Sequence, residues 1–386
     1  MSHIKQLWLP ESKCTGCGAC ENVCPKNAIK IELNKNGHLL PVPLNGCIEC
    51  GKCESVCDGR LRVSENYAQP TIYAAWSKDD DLRFTSTSGG VFTELASVAI
   101  ANNGVVFGAL YDEECIVRHA SAETFSDLEK LKQSKYVQSN MGLTFRAIRS
   151  ELSKNRNVLF CGAPCQVAAL RAYLGEEENN NLFLIDFVCM GVNSPKAYIA
   201  WLKQLEKQEQ SKVKRVWFKY KKGGWKTSPR RTRIDFINGK TVIQDGMLNY
   251  YMSGYLDSCL YLRPSCVDCD FRGFPRYGDI TVADFWGIDA RMDDDKGTSM
   301  VMINNKKGES LFQYACRNLH FEERPFERIF PGNARINEDA ALNSKSQLFL
   351  DDLDSMGFNA AYKKYSKSLL RRKLIAVAKK LKNIFK

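Results

Sequence analysis

The chain has no run of about 18 apolar residues, which excludes a membrane-spanning helix. Its first residues, Met1-Ser2-His3-Ile4-Lys5, lack the apolar stretch of a secretion signal. Sixteen cysteines without such a signal point to metal ligation in a reducing cytoplasm, not to disulfides. Acidic residues are absent after Asp354, whereas ten Lys and Arg follow between Lys363 and Lys386. Those ten account for most of the net charge of +11: without them, 45 basic residues face 44 acidic ones. The body is therefore nearly neutral, and its charge gives no reason to expect a nucleic-acid partner. A second basic stretch, Lys212 to Arg233, is balanced elsewhere. Its aromatic residues Trp217, Phe218, Tyr220 and Trp225 alternate as in a half-buried sheet.

What is present is cysteine at a fixed pitch. Cys14-x2-Cys17-x2-Cys20-x3-Cys24-Pro25 is followed by Cys47-x2-Cys50-x2-Cys53-x3-Cys57, with Asp58 where the first run has proline. Zinc takes four ligands as two separated pairs. A run of four at two-two-three spacing, then repeated, suits two cubane 4Fe-4S clusters instead, and in such proteins the fourth cysteine of each run ligates the other cluster. Cys14, Cys17, Cys20 and Cys57 are expected to hold one centre. Cys47, Cys50, Cys53 and Cys24 are expected to hold the second. Small residues between the ligands let the backbone wrap closely and aim amides at sulfur.

This unit is expected over residues 1–62, with a polar linker at 63–70. Beyond it, apolar strand patterns alternate with helical ones: strands at 72–76, 105–111, 116–120, 158–161 and 182–188, helices at 91–101, 127–132, 143–152, 164–174 and 195–209. This predicts an α/β body with a partly parallel sheet. A β-rich insertion follows from 213 to 243, with a hairpin through Asn238-Gly239, and buried strands return at 280–285 and 300–303. The fold class is α/β with α+β embellishment. The body is expected over 71–345 and a basic amphipathic tail over 346–386. From Leu370, the positions Leu374, Val377, Leu381 and Ile384 share a helical face, and the basic residues lie opposite. Such a helix suits an anionic membrane surface or a protein partner. The expected location is cytoplasmic, with the tail peripheral on the inner membrane face.

Four segments of the body carry further chemistry. Thr87-Ser88-Gly89-Gly90 opens a helix, as a phosphate site or as an ordinary cap. Cys161-Gly162-Ala163-Pro164-Cys165-Gln166 stands where a strand turns into a helix, and Cys189 ends the next strand. Cys259-x6-Cys266-x2-Cys269 contains a pair at metal-ligand spacing. Cys115 and Cys316 read as core residues.

These segments, with Lys135-Tyr136-Val137-Gln138-Ser139, Leu262 to Cys269 and Gly278 to Gly287, occur in an order that resembles the coenzyme F-420 hydrogenase/dehydrogenase beta subunit family. The likeness runs from about Ile72 to about Asn305. With the two-cluster ferredoxin unit in front, the chain is most similar to bacterial relatives found with surface-polysaccharide synthesis genes. The resemblance implies an FAD held by Ser88, Gly89, Gly90, Lys135, Gln138 and Ser139, with the lysine and glycine amides on its pyrophosphate. It implies a third 4Fe-4S cluster on Cys165, Cys189, Cys266 and Cys269, with Cys259 and Cys161 in reserve. Asp279 and Asp284 would shape the flavin pocket. Two positions depart from the family pattern. Met190 stands where histidine is usual, so no proton donor carries over there, and Cys161 replaces a hydroxyl residue.

The implied function is an iron–sulfur flavoprotein oxidoreductase. It would pass electrons between a ferredoxin or other redox protein and an FAD that exchanges hydride with a planar organic substrate. In a variant of this reading, coenzyme F-420 is the hydride partner. The competing reading is an electron-relay subunit of a larger redox complex, without its own substrate site.

Overall fold

The structure, a computed structural model, describes residues 9–60, 66–175 and 179–367. Helix α1 (Ala19–Val23), the hairpin β1 (Ile29–Leu33) and β2 (Leu39–Pro43), and α2 (Lys52–Gly59) form the cysteine-rich unit. The body opens with β3 (Thr71–Ser77), α3 (Asp80–Thr85), α4 (Val91–Ala101), β4 (Val105–Tyr111), β5 (Val117–Ala122), α5 (Phe125–Leu131) and α6 (Thr144–Ser153). It continues through β6 (Val158–Cys161), α7 (Pro164–Leu174), β7 (Leu182–Phe187) and α8 (Pro195–Glu209). The insertion is β8 (Val213–Phe218), β9 (Thr232–Phe236) and β10 (Thr241–Gln244), a three-stranded antiparallel sheet, followed by α9 (Tyr250–Leu256). The chain returns as β11 (Ile280–Asp284), β12 (Ser299–Ile303), α10 (Lys306–Ala315) and β13 (Leu319–Arg324), and ends in α11 (Ser346–Met356) and α12 (Phe358–Tyr365).

The main sheet has eight strands in the order β13-β3-β12-β11-β7-β6-β4-β5. β4, β6, β7 and β11 run parallel, while β12, β13 and β5 run against their neighbours. Strands buried on both faces need continuous apolar side chains, which Val158-Leu159-Phe160 and Ser299 to Ile303 supply. The carboxyl ends of β3, β4, β6, β7 and β11 and the start of β12 therefore share one edge. That is the edge where α/β sheets collect ligands.

The tail was expected to begin at 346, and the structure moves that boundary. α11 and α12 lie on α8, and Phe349, Leu350, Leu353, Phe358 and Tyr362 are buried in the same core as Trp201 and Tyr251. The apolar spacing of 346–365 is that of a core helix pair, and proximity to the basic run obscured it. The basic amphipathic segment from Leu370 lies outside the described residues. So do 63–65 of the expected linker; Asn66 is already anchored, donating to the carbonyls of Arg276 and Gly278 at 2.8 Å each.

In the Lys212–Arg233 stretch, Trp217, Phe218, Tyr220 and Trp225 are buried. Several of its cations are drawn into pairs: Lys212 with Glu206, Lys226 with Asp293, Arg230 with Asp257, Arg231 with Asp245 and Arg233 with Asp235.

Candidate electron-transfer centre

Cys14, Cys17, Cys20 and Cys57 line one cavity, together with Gly16, Gly18, Ile31, Pro41 and Arg60. The fourth cysteine of the second run thus joins the first three of the first run. α2 brings it there by packing against α1 and α7. Burial first, then the charges of Cys17, Cys14 and Cys57, push the Cys20 thiol well up. Four mutually repelling thiolates in so small a space fit a multivalent cationic core. Gly16 is required here by its surroundings as well as its φ of +59: a Cβ would stand 2.2 Å from the Leu39 carbonyl oxygen and 2.6 Å from Arg263.

The second group is at the surface. Cys47 and Cys50 are exposed, and Cys53 and Cys24 are partly buried. Cys53 feels the charge of Cys24, which brings the last cysteine of the first run near the third of the second. Amides of Ala28 and Glu49 point at the sulfurs of Cys24 and Cys47, at 3.2 and 3.5 Å.

A second cavity is lined by Cys165, Cys189, Cys266 and Cys269, with Thr15, Gly191, Arg263, Arg272, Arg276 and Arg335. The four cysteines arrive from three places: Cys165 from the first turn of α7, Cys189 from the loop after β7, and Cys266 and Cys269 from the turn Pro264–Cys266 with its continuation. Burial first, then Cys269, Cys189 and Cys266, push the Cys165 thiol well up, and Cys189 is pushed up to about 12. The Gly191 amide donates to the Cys189 sulfur at 3.3 Å. Cys259 and Cys161 stand outside the lining. Among the described residues, no three His, Cys, Asp or Glu side chains converge on a single metal ion; the sulfurs surround a space instead. Cys115 is buried as expected of a core thiol, though in the β4–β5 turn, and Cys316 packs partly on the core.

The predicted flavin residues lie along the carboxyl edge, in two groups. Ser88 donates to the Thr298 carbonyl at 2.6 Å and the Gly89 amide to the Ser299 hydroxyl at 2.9 Å. Gly90, at φ +88, caps α4 with no side-chain acceptor on its first turn. The Lys135 ammonium closes the end of α5 by donating to the carbonyls of Lys130, Leu131 and Lys132. Gln138 is turned toward the cysteine-rich unit, accepting from the Leu39 amide at 3.3 Å and donating to the Gly16 carbonyl at 3.4 Å. Ser139 belongs to a buried chain. The Ala163 amide donates to Gln166 Oε1 and Gln166 Nε2 donates to Ser139 Oγ, at 2.9 and 3.1 Å. The serine hydroxyl then donates to His119 Nδ1 at 2.9 Å, which leaves the ring proton on Nε2, 3.2 Å from the Cys161 carbonyl. Burial holds His119 neutral, its pKa lowered to about 4.

Between these groups lie residues that the sequence did not single out. Lys219 is buried and pairs with Asp284 at the end of β11, under the parallel rings of Trp225 and Trp286, whose centroids are 4.2 Å apart. Asp284 Oδ1 and Trp225 Nε1 are buried without a partner. Lys221 donates to the Ser88 and Lys296 carbonyls at 2.7 and 3.0 Å and to that of Arg83. Tyr136, whose ring is 5.7 Å from that of Tyr255, connects this part of the carboxyl edge to the cysteine cavity, because Tyr255 borders Cys189 and Cys266. Asp279 was expected at the pocket too, and the structure puts it elsewhere. It sits just before β11, at the amino edge of the sheet, accepting from the Leu184 amide at 2.8 Å and pairing with Arg171. A carboxylate at each end of one strand cannot serve one edge.

Comparisons with known proteins bear on two parts of the chain. Residues 8–30 match the family model for the 4Fe-4S binding domain; the second cysteine run lies beyond that match. Residues 155–329 match the family model for the C terminus of the coenzyme F420 hydrogenase/dehydrogenase beta subunit. No curated protein matches the chain. Among solved structures, a chain of the F420-reducing NiFe hydrogenase complex from Methanosarcina barkeri aligns at 18% identity. The alignment covers 75% of this chain and 90% of that one, with a TM-score of 0.47. Residues 155–329 are thus similar to the C terminus of the coenzyme F420 hydrogenase/dehydrogenase beta subunit, and they are joined here to a 4Fe-4S-binding segment, the make-up of an iron–sulfur electron-transfer protein related to that subunit.

Proposed function

We propose that the chain conducts electrons between a redox protein docked near Cys47 and Cys50 and an FAD in the crevice at the carboxyl edge of the main sheet. Three 4Fe-4S clusters would form the route. Cys24, Cys47, Cys50 and Cys53 hold the outermost, Cys14, Cys17, Cys20 and Cys57 the middle one, and Cys165, Cys189, Cys266 and Cys269 the innermost. The observation that carries this reading is the convergence of eight cysteines, from five separate segments, on two adjoining cavities. Residues 1–62 act as the electron-entry unit and the rest of the described chain as the body that receives it.

The crevice fits a flavin at two points. The first turn of α4 has an uncapped N-terminus for a phosphate, and Asp284 Oδ1 and Trp225 Nε1 are buried polar atoms in want of partners. When bound, FAD exchanges a hydride with an organic substrate and passes the electrons on singly. The chain's own residues do the rest. Lys221 and Ser299 hold the loop before α4 in place. Lys219 keeps a positive charge beside Asp284. Tyr136 and Tyr255 fill the interval to the cysteine cavity and exclude water from it. The substrate is planar and redox-active, with a deazaflavin as the variant that the family name suggests.

A relay without its own flavin is the second reading. It is favoured by Ser88, Gly89, Lys135, Gln138 and Ser139, which spend polar groups inside the protein. Anaerobic, iron-replete purification decides between them. Iron and released flavin are expected at about twelve atoms and one FAD per chain. Twelve irons without flavin, under any loading condition, would establish the relay.

A further inference from the structure

Two arginines meet at Thr15, and neither has a carboxylate partner among the described residues. Arg60 is 3% exposed. It donates to the Thr15 hydroxyl at 2.8 Å and to the Cys57 carbonyl at 3.1 Å, and it points at the sulfurs of Cys57 and Cys17, at 3.2 and 3.6 Å. Arg263 is 1% exposed, donates to the carbonyls of Thr15 and Leu39, and keeps a buried Nε without a partner. Two other arginines of the wall around Cys165 are paired, Arg276 with Asp186 and Arg272 with Asp339, while the half-buried Arg335 donates to the carbonyls of Glu338 and Asp339. An unpaired buried ion costs several kcal/mol in a protein interior. A guanidinium cannot escape that cost by giving up its proton. These two charges therefore call for an anion nearby, and two cysteine cavities flank them. Arg60 lines the cavity of Cys14, Cys17, Cys20 and Cys57, Arg263 lines that of Cys165, Cys189, Cys266 and Cys269, and Thr15 is wall to the latter while its neighbours Cys14 and Gly16 are wall to the former.

We propose that Arg60 and Arg263 form a shared counter-charge between the two inner clusters, which raises both reduction potentials and lets both clusters hold an electron at once. This rests on the cluster assignment given above. A cubane bearing four thiolates is a net anion, and reduction makes it more so. A fixed cation on the line between two such anions stabilises the reduced form of each and screens their repulsion. A hydride brings two electrons that leave one at a time, so two neighbouring sites reducible at similar potentials are what the exchange requires. Both arginines are positioning residues: Arg60 touches ligand sulfurs and the Cys57 carbonyl, Arg263 touches the carbonyls of Thr15 and Leu39, and neither touches substrate.

The test is a redox titration of the full-length, cluster-loaded protein, followed by electron paramagnetic resonance, with iron counted for each variant. In Arg263→Gln and in Arg60→Gln, the potentials of both inner clusters should fall, while the outer cluster of Cys24, Cys47, Cys50 and Cys53 keeps its wild-type potential as an internal reference. Arg263→Lys retains the charge and should stay near wild type. A shift confined to one inner cluster, an equal shift of all three, or no shift would overturn the proposal. If Arg263→Gln sheds a cluster, the lysine variant decides: near-wild-type potentials support the counter-charge, and lowered potentials overturn it. A wild-type protein with eight irons and two signals would fail at the earlier step, the third cluster itself, and take this proposal with it.

Discussion

The guanidinium of Arg146, on α6, donates to the Cys24 carbonyl at 2.6 Å, just past the end of α1. The same side chain donates to the Asn22 carbonyl and to Asn27 Oδ1 at 2.7 Å each and to the Glu21 carbonyl at 3.2 Å. One arginine of the body thus closes the open end of the helix that carries Cys20, where a cation also suits the helix dipole. Hydrogen bonds from a charged group contribute about 1.5–3 kcal/mol each when buried, and less here where the side chain is part-exposed. Arg146→Ala is expected to destabilise the cysteine-rich unit by about 2–4 kcal/mol. Hydrogen exchange over residues 19–33 should accelerate while the main-sheet strands keep their protection. Unchanged exchange would show that the unit holds itself.

Cys266→Ser should remove about four irons and leave about eight. Cys57→Ser should perturb the cluster of Cys14, Cys17 and Cys20, because Cys57 lines that cavity. Mössbauer spectra and iron analysis separate the two variants. A Cys57→Ser protein whose disturbed cluster proves to be that of Cys47, Cys50 and Cys53 would contradict the swapped pairing.

Cys47 and Cys50 are exposed, whereas the cysteines of the two cavities are buried or partly buried. Under measured exposure to air the outermost cluster should bleach first. Following iron release and spectral loss together checks this. Simultaneous decay of all clusters would mean that burial does not order their sensitivity.

Lys221 is buried and its pKa is lowered to about 7, by burial first and then by Arg83 and Lys219. In the unfolded chain the same amine titrates near 10.4. Between those values the unfolded state binds more protons, so stability should rise with pH through that window and level off above it. Lys221→Met should flatten the rise. Denaturant midpoints at several pH values between 7 and 10 measure it, and an equal slope in the variant would assign the rise to other groups.

Cysteine spacing made the grouping of Cys14, Cys17, Cys20 and Cys57 around one cavity legible, because a run at this pitch restricts the local chain so tightly that sequence distance stands in for geometry. The third set was legible only by likeness to a family, since Cys165, Cys189 and Cys266 are brought together by strand order, which no spacing encodes. Alternating strand and helix patterns located the main sheet to within a few residues, because apolar strands buried on both faces leave a plain signature. Arg60, Arg263 and Lys219 left no such trace: a buried cation looks like any surface one until its partners are known. Gln138 shows the reverse case. Its segment pointed to a cofactor, yet its side chain binds the backbone of the cysteine-rich unit.

Thr15 belongs to the ligand loop of one cluster and to the wall of the next cavity. A cysteine-rich unit tethered to a larger body invites the picture of a shuttle that swings between loading and delivery. Here that motion would tear the wall from the inner cavity and strip both arginines of their acceptors. The spacing between donor and acceptor is fixed by a single peptide, so electron passage across this junction should be insensitive to solvent viscosity, as in a wire and unlike a ferry.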